Sequence, residues 1–233
     1  MSFHAIRTIS FDVTGTLIDP FPSIGAIYAE VLHRHGLFLT EADLEMRFMS
    51  AFHKSRMEPL EPVSEKAEKA RWQTIIQNIL LEHFSEEIFE DLWLTLGESR
   101  HWKPKPRLFR TLESLLQDGF DLIVVSNWDA RLHGLLSALK LTPYFSRVFI
   151  STEVGLEKPS PAFFQTVAGK LGAASETLLH VGNSQAEDYR PALRSDWNAL
   201  LLNNRIPYGM EPGAVLGSID QLPEVLQSER AAS

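Results

Sequence analysis

Four groups of polar residues stand where apolar runs of this chain stop, and together they have the makings of hydrolysis through a carboxyl ester. Ile9-Ser10-Phe11 ends on Asp12, followed by Val13-Thr14-Gly15-Thr16-Leu17. Leu122-Ile123-Val124-Val125 ends on Ser126 and Asn127. Val148-Phe149-Ile150-Ser151 leads to Glu157-Lys158-Pro159-Ser160-Pro161, and Leu178-Leu179-His180-Val181 leads to Gly182-Asn183-Ser184, with Asp188 one turn further on. Ligands of open α/β sheets bind outside the carboxyl ends of the strands, so these are positions from which side chains meet a substrate. As a nucleophile, Asp12 is already ionised at neutral pH and needs alignment and donors on its other oxygen rather than activation. Ser126 and Asn127 would bind the transferring group, Ser126 through its hydroxyl and either residue through its backbone N–H. Lys158, kept from regular helix by the following proline, would neutralise the nucleophile and the charge that develops in transfer.

These residues need a scaffold, and the apolar periods supply one. After Asp19-Pro20-Phe21-Pro22 the period becomes helical: Ile24, Ile27, Tyr28, Val31 and Leu32 recur behind Ser23 as N-cap. Three more stripes follow, through Leu44 and Phe48, through Ile75 and Ile79, and through Ile88 and Leu92. No strand pattern interrupts them, so residues 20–103 read as an all-helical cap domain, with Trp102-Lys103-Pro104-Lys105-Pro106 as the return linker. From Leu108 onward helical and β-type runs alternate, which indicates β-α-β units. The fold class expected is α/β, a doubly wound parallel sheet of Rossmann-like type. Residues 1–19 and 104–233 form its core, and a switch crevice lies beside Asp12.

Composition narrows the partners. A chain of 233 residues, 44% hydrophobic, can bury one core or a core plus an insertion. A net charge of −8 with no Lys/Arg-rich run argues against a nucleic-acid partner, and the anion-handling residues at the ends of the apolar runs point to a small anionic substrate. The absence of cysteine removes disulfides, thiolate nucleophiles and sulfur-based zinc sites. No apolar run approaches the roughly 20 residues needed to span a bilayer. Met1–Arg7 enters the first apolar run directly, so no secretory leader and no membrane partner are expected, and the chain reads as cytoplasmic.

The four segments, from Asp12 to Asp188, resemble motifs one to four of the haloacid dehalogenase-like (HAD) hydrolase superfamily, subfamily I with a helical cap. Asp12–Leu17, Ser126-Asn127-Trp128-Asp129 and Glu157–Phe164 look most like the subgroup around the rhythmically expressed gene product. The resemblance implies an aspartate nucleophile and phosphatase-type ancestry. It also implies a Mg²⁺ site, carried over onto Asp12, the Thr14 backbone carbonyl, Asn183 and Asp188. Two departures weaken this. The acid–base aspartate two residues after the nucleophile is Thr14, whose hydroxyl does not titrate near neutral pH, and the usual metal-binding acid is Asn183, which brings no charge. Thr16 would donate to the Asp12 carboxylate or hold the turn, and would help bind substrate. Asp188 would reach a metal or Lys158, or equally would face a helix dipole. His180, inside its apolar run, reads as a satisfied core histidine, and Phe48, Phe52, Trp72 and Trp93 read as core of the helical domain. Nothing selects among Arg47, Arg56 and Arg71 for a substrate anion. Three functions follow: a phosphatase of a small phosphomonoester, a metal-free 2-haloacid dehalogenase-type hydrolase, and a non-catalytic binding module.

Overall fold

The computed structural model describes residues 3–231, so the outermost residues of the expected core lie outside the described part. Strand β1 (Thr8–Phe11) is buried along its whole length and passes through the Asp12–Leu17 turn into a short strand β2 (Ile18–Pro20). Four helices follow: α1 (Ile24–Arg34), α2 (Glu41–Arg56), α3 (Glu65–Leu80) and α4 (Glu86–Thr95). Each starts behind a hydroxyl residue, Ser23, Thr40, Ser64 and Ser85, whose side chain accepts the N–H three residues on. Each such cap satisfies a donor the helix leaves open and contributes about 1 kcal/mol. The four apolar stripes close on one another, with Tyr28, Leu44, Phe48, Ile76 and Leu92 in a cluster of their own.

The chain leaves this helical insert through β3 (Trp102–Pro104), which pairs antiparallel with β2 so that Ile18 faces Pro104 and Pro20 faces Trp102. The stretch expected to be a linker is therefore half of a two-stranded ribbon. Three residues are too few to show a period of two, and its proline disguised it as a breaker.

Beyond the ribbon come α5 (Leu108–Gln117), β4 (Asp121–Ser126), α6 (Arg131–Ala138), β5 (Arg147–Ile150), α7 (Ser151–Val154) and α8 (Pro161–Leu171). Then follow β6 (Leu178–Gly182), a π-helical turn at Gln185–Tyr189, α9 (Arg190–Leu193), β7 (Asn198–Leu202), β8 (Val215–Leu216) and α10 (Leu222–Ala231). The six-stranded sheet is parallel throughout, in the order β5-β4-β1-β6-β7-β8. Its strands alternate between two apolar layers. Ile9, Phe11, Leu122 and Val124 face one, while Ile123, Val125 and Ala199 face the other. This is a doubly wound α/β sheet of the Rossmann-like kind. The chain runs from β1 to β4 and β5 on one side, then crosses to β6, β7 and β8 on the other. The carboxyl ends of β1, β4 and β6 therefore lie side by side at the switch. No helix among the described residues is long and apolar enough to cross a membrane.

Candidate active site

Asp12 follows the last residue of the central strand, and its N–H donates to Val181 O at 2.9 Å, which fixes the direction in which its side chain leaves the sheet. The chain then folds back on itself: Leu17 and Ile18 both donate to Val13 O, and Gly15 donates to Ile18 O. Gly15 has φ +81°, and a Cβ there would overlap the Asn183 side chain, so the turn requires glycine on both counts. One oxygen of Asp12, Oδ1, receives the Ser126 hydroxyl at 2.8 Å and the Lys158 ammonium at 2.7 Å. Both of these donors fall on that oxygen, and Oδ2 has no donor among the described residues.

Lys158 is 2% exposed and bridges two carboxylates, donating also to Asp188 Oδ1 at 2.6 Å. Its backbone is held as firmly: the Asn127 amide donates to Lys158 O and accepts Lys158 N–H, each at 2.8 Å. Asp188 receives Ser184 N–H on Oδ2 and His180 Nε2 on Oδ1 at 3.2 Å. A carboxylate can only accept, so His180 carries its proton on Nε2, and its Nδ1 accepts the Ser10 hydroxyl at 2.7 Å. A side chain at Gly182 would collide with Asp188, so the end of β6 must be glycine for this carboxylate to reach the lysine.

The charges of this cluster follow from its burial. Burial pushes the Asp12 carboxyl above its ordinary value, against the pull of Lys158, and the charge of Asp188 adds to the rise. For Asp188 burial is outweighed by Lys158 and by the His180 hydrogen bond, which hold its carboxyl well below the usual range. Burial works against the Lys158 charge too, but the two carboxylates together hold its pKa above the ordinary lysine value. Burial lowers His180, which is neutral at physiological pH.

Above the strand ends lies a cavity of about 430 Å³ whose floor includes Asp12, Ser126 and Asn127 and whose upper wall is built by Phe48, Phe52 and Trp72 of the insert. Thr14, Asn183, Ser184 and Asp188 also line it. The insert grips the core beside it. Arg71 donates from both terminal nitrogens to Glu157 at 2.8 Å, and Leu60 N–H donates to the same carboxylate. Arg56 reaches Glu187 at 3.1 Å and also donates to Lys158 O. The Glu157 carboxyl is held below its ordinary value because these hydrogen bonds outweigh its burial.

Ser126, Lys158 and Asp188 meet around Asp12, and Asn127, Asn183 and Thr14 line the same cavity. Several expected roles change. The Ser126 hydroxyl is spent on Asp12 rather than aimed at a transferring group; the Asn127 side chain holds the Lys158 backbone, which leaves the role expected of its backbone N–H untouched. Thr16 is fully buried, and its hydroxyl donates to Asn183 Oδ1 at 3.4 Å instead of Asp12, because the tight turn carries it below the cavity floor. His180 is satisfied, as its position inside the strand implies, but one of its partners is the Asp188 of the site. Phe48, Phe52 and Trp72 pack in the insert and line the cavity as well. Arg47, Arg56 and Arg71 are all engaged with carboxylates of the protein. Glu157, Trp128, Asp129 and Arg131 were not singled out. The clue to Glu157 was its place next to Lys158, and the clue to Asp129 and Arg131 was an acid–base pair two residues apart at a helix start.

The haloacid dehalogenase-like hydrolase family model matches residues 6–196, and the chain belongs to that family. It is 26% identical to haloacid dehalogenase-like hydrolase domain-containing protein 3 of Danio rerio over 95% of this chain and 97% of the relative. It is also 26% identical to the rhythmically expressed gene 2 protein of Drosophila melanogaster, over 88% and 85%. A phosphoglycolate phosphatase of Aquifex aeolicus is 28% identical over 87% and 90%. Among solved structures, a magnesium-bound HAD hydrolase of Bacillus subtilis superposes with a TM-score of 0.77 at 19% identity over 95% and 98%. A 2-haloacid dehalogenase of Pseudomonas syringae superposes at 0.66 and 22% over 96% and 99%.

Proposed function

We propose that the protein is a phosphohydrolase of a small phosphomonoester, with Asp12 as nucleophile and the helical insert as a cap over the substrate. The observation that carries this reading is the asymmetry of Asp12. Lys158 and Ser126 hold Oδ1, which fixes the carboxylate in one orientation and leaves Oδ2 for attack on phosphorus. The attack forms an aspartyl phosphate as the ester oxygen leaves. Lys158 offsets charge on Asp12 and on the transferring group, and Asp188 and Asn127 keep the lysine in place. Water then cleaves the acyl phosphate and restores the carboxylate. The donors that would hold Mg²⁺ are Asp12, the Thr14 carbonyl, Asn183 and Asp188, which line one cavity and offer the hard oxygens this ion takes. Bound there, Mg²⁺ would supply positive charge against the phosphoryl oxygens. The fit is a weak one. Both Asp188 oxygens already accept hydrogen bonds, and no cluster of three acidic, His or Cys residues able to hold a metal occurs among the described residues.

A 2-haloacid dehalogenase reading is less well supported, because the substrate carboxylate would need its own cation. The two arginines that line the cavity, Arg56 and Arg131, are bound to Glu187 and Asp129. The deciding experiment is phosphate release from a panel of phosphomonoesters, with Mg²⁺ and with chelator, for the wild type and Asp12→Asn. The expected result is release that requires Mg²⁺ and is lost in the variant. Halide release from a 2-haloacid in chelator, or ligand-induced stabilisation with no product from any substrate, would replace the proposal with the dehalogenase or the binding module.

A further inference from the structure

We propose that the phosphoester hydrolysed here carries an uncharged planar leaving group whose oxygen departs as a weak base, an aryl phosphomonoester being the type. This rests on the phosphohydrolase reading and adds the substrate class that the rest of the cavity selects.

The walls favour a flat ring. The rings of Phe48 and Phe52 stack with centroids 5.3 Å apart and planes 19° apart, and Trp72 continues the stack 6.3 Å from Phe48. Trp102 and Trp128 add an edge-to-face pair at 5.5 Å. Surfaces of this kind bury an aromatic group and orient it by its quadrupole.

The charges reject a second anion. Arg131 spends its guanidinium on both oxygens of Asp129 and on Trp93 O, and it stacks on the Trp93 ring. Arg56 is spent on Glu187, Glu157 and Lys158 O. The same cavity presents Glu45, which accepts Gly25 N–H, and Asp19, which is paired with Lys105. A carboxylate or second phosphate on the leaving group would meet these acids, Glu45 above all, and no cation lining the cavity among the described residues is uncommitted to answer it, which is specificity by repulsion.

The chemistry favours a weakly basic leaving oxygen. The Thr14 hydroxyl accepts Trp128 Nε1–H at 3.2 Å and has no acidic proton to give. Asp129, Glu187 and Asp19 are paired with Arg131, Arg56 and Lys105, and Glu45 accepts Gly25 N–H; burial pushes the Glu68 carboxyl up, but both its oxygens accept hydrogen bonds, from Trp72 and Arg71. Protonation of the departing oxygen, typically worth about 10²- to 10⁴-fold, is therefore not supplied by the site. In the step so written, Asp12 Oδ2 bonds to phosphorus while the phosphorus–oxygen bond to the ring breaks. The aryloxide leaves with the electron pair and takes a proton from solvent. Water then attacks the aspartyl phosphate to give inorganic phosphate and the free carboxylate.

The test compares kcat/KM for phenyl phosphate, cyclohexyl phosphate, 2-phosphoglycolate and acetyl phosphate with Mg²⁺, in the wild type, Asp12→Asn and Trp72→Leu. Phenyl phosphate should exceed cyclohexyl phosphate and 2-phosphoglycolate by about 100-fold. Trp72→Leu should lower the ratio of phenyl to acetyl phosphate by about tenfold. Acetyl phosphate, small and with a good leaving group, reports the Asp12 chemistry alone. Asp12-dependent hydrolysis of acetyl phosphate, with phenyl phosphate no better than the cyclohexyl or glycolate ester, overturns the aryl inference and leaves the phosphohydrolase standing. Hydrolysis of none of the four above the blank overturns the phosphohydrolase reading and this inference with it.

Discussion

Asp12, Asp188, Lys158 and neutral His180 form a buried cluster with two negative charges and one positive, and the two carboxylates respond to it in opposite ways. Asp188 has its pKa held down, so it stabilises the fold above the ordinary carboxyl range, and that stability is lost as pH falls through and below it. Asp12 has its pKa pushed up, so the folded state binds the proton more tightly than the unfolded chain. Its contribution is therefore lost as pH rises through its folded value. Asp12→Asn should accordingly raise Tm at pH 8, with the gain shrinking in acid. Asp188→Asn should lower Tm at the same pH. A Tm series against pH for both variants checks the signs, and equal losses in both would contradict this account. Asp12 and Ser126 were legible in the sequence because each ends an apolar run, whereas Lys158 and Asp188, several residues past theirs, stood out through the motif phrases around them. The direction of each hydroxyl was not legible, since Ser126 and Thr16 both sit near Asp12 in the reading of the sequence and only the fold of the turn after Asp12 takes Thr16 to Asn183 while Ser126 reaches Asp12.

Helices α2 and α3 meet the Glu157–Lys158 loop through Arg56 and Arg71, and both converge on Glu157, the residue before Lys158. Arg71 and Glu157 are nearly fully buried as side chains. Arg71→Met leaves Glu157 with Arg56 at 3.5 Å and the Leu60 N–H, and should cost about 3 kcal/mol in urea unfolding, the low end for breaking a buried pair. Arg71→Lys keeps the charge but loses the two-pronged geometry and should fall between, whereas identical midpoints for all three proteins would show that the pair adds nothing. The helices themselves were readable, since a period of 3.6 and hydroxyl caps repeat over ten or more residues. The ribbon β2–β3 and the strand β8 were not, being two or three residues long. Arg56 and Arg71 looked like Arg47 in the sequence because partners about a hundred positions away decide their fate, whereas Arg47 pairs with Asp43 on its own helix.

Across the whole molecule, the order of strands in space differs from their order in the chain, and this governs how the protein assembles. β1 lies at the centre of the sheet, yet its neighbours β4 and β6 come more than a hundred residues later, with Ser10 and His180 separated by 170 positions. The contacts of α1 with α2 and of α2 with α3 are local by comparison. Local contacts form before distant ones, whose loop-closure entropy comes first. In refolding followed by pulsed hydrogen exchange, amides of α1 should gain protection before those of Thr8–Phe11, and simultaneous protection would contradict this order. The alternation of helices and strands that defines the sheet was plain in the sequence, because both periods are strong. On a ribosome, the same topology makes β1 wait for both of its neighbours, which are made more than a hundred residues after it. At 5–20 residues per second, Ile9 and Phe11 wait roughly 10–30 s for β6 to be made. Through that interval the nascent chain carries an apolar β segment that is unpaired until β4 is made and then paired on one edge only, while the helical insert behind it can already fold and shield part of the chain from neighbours.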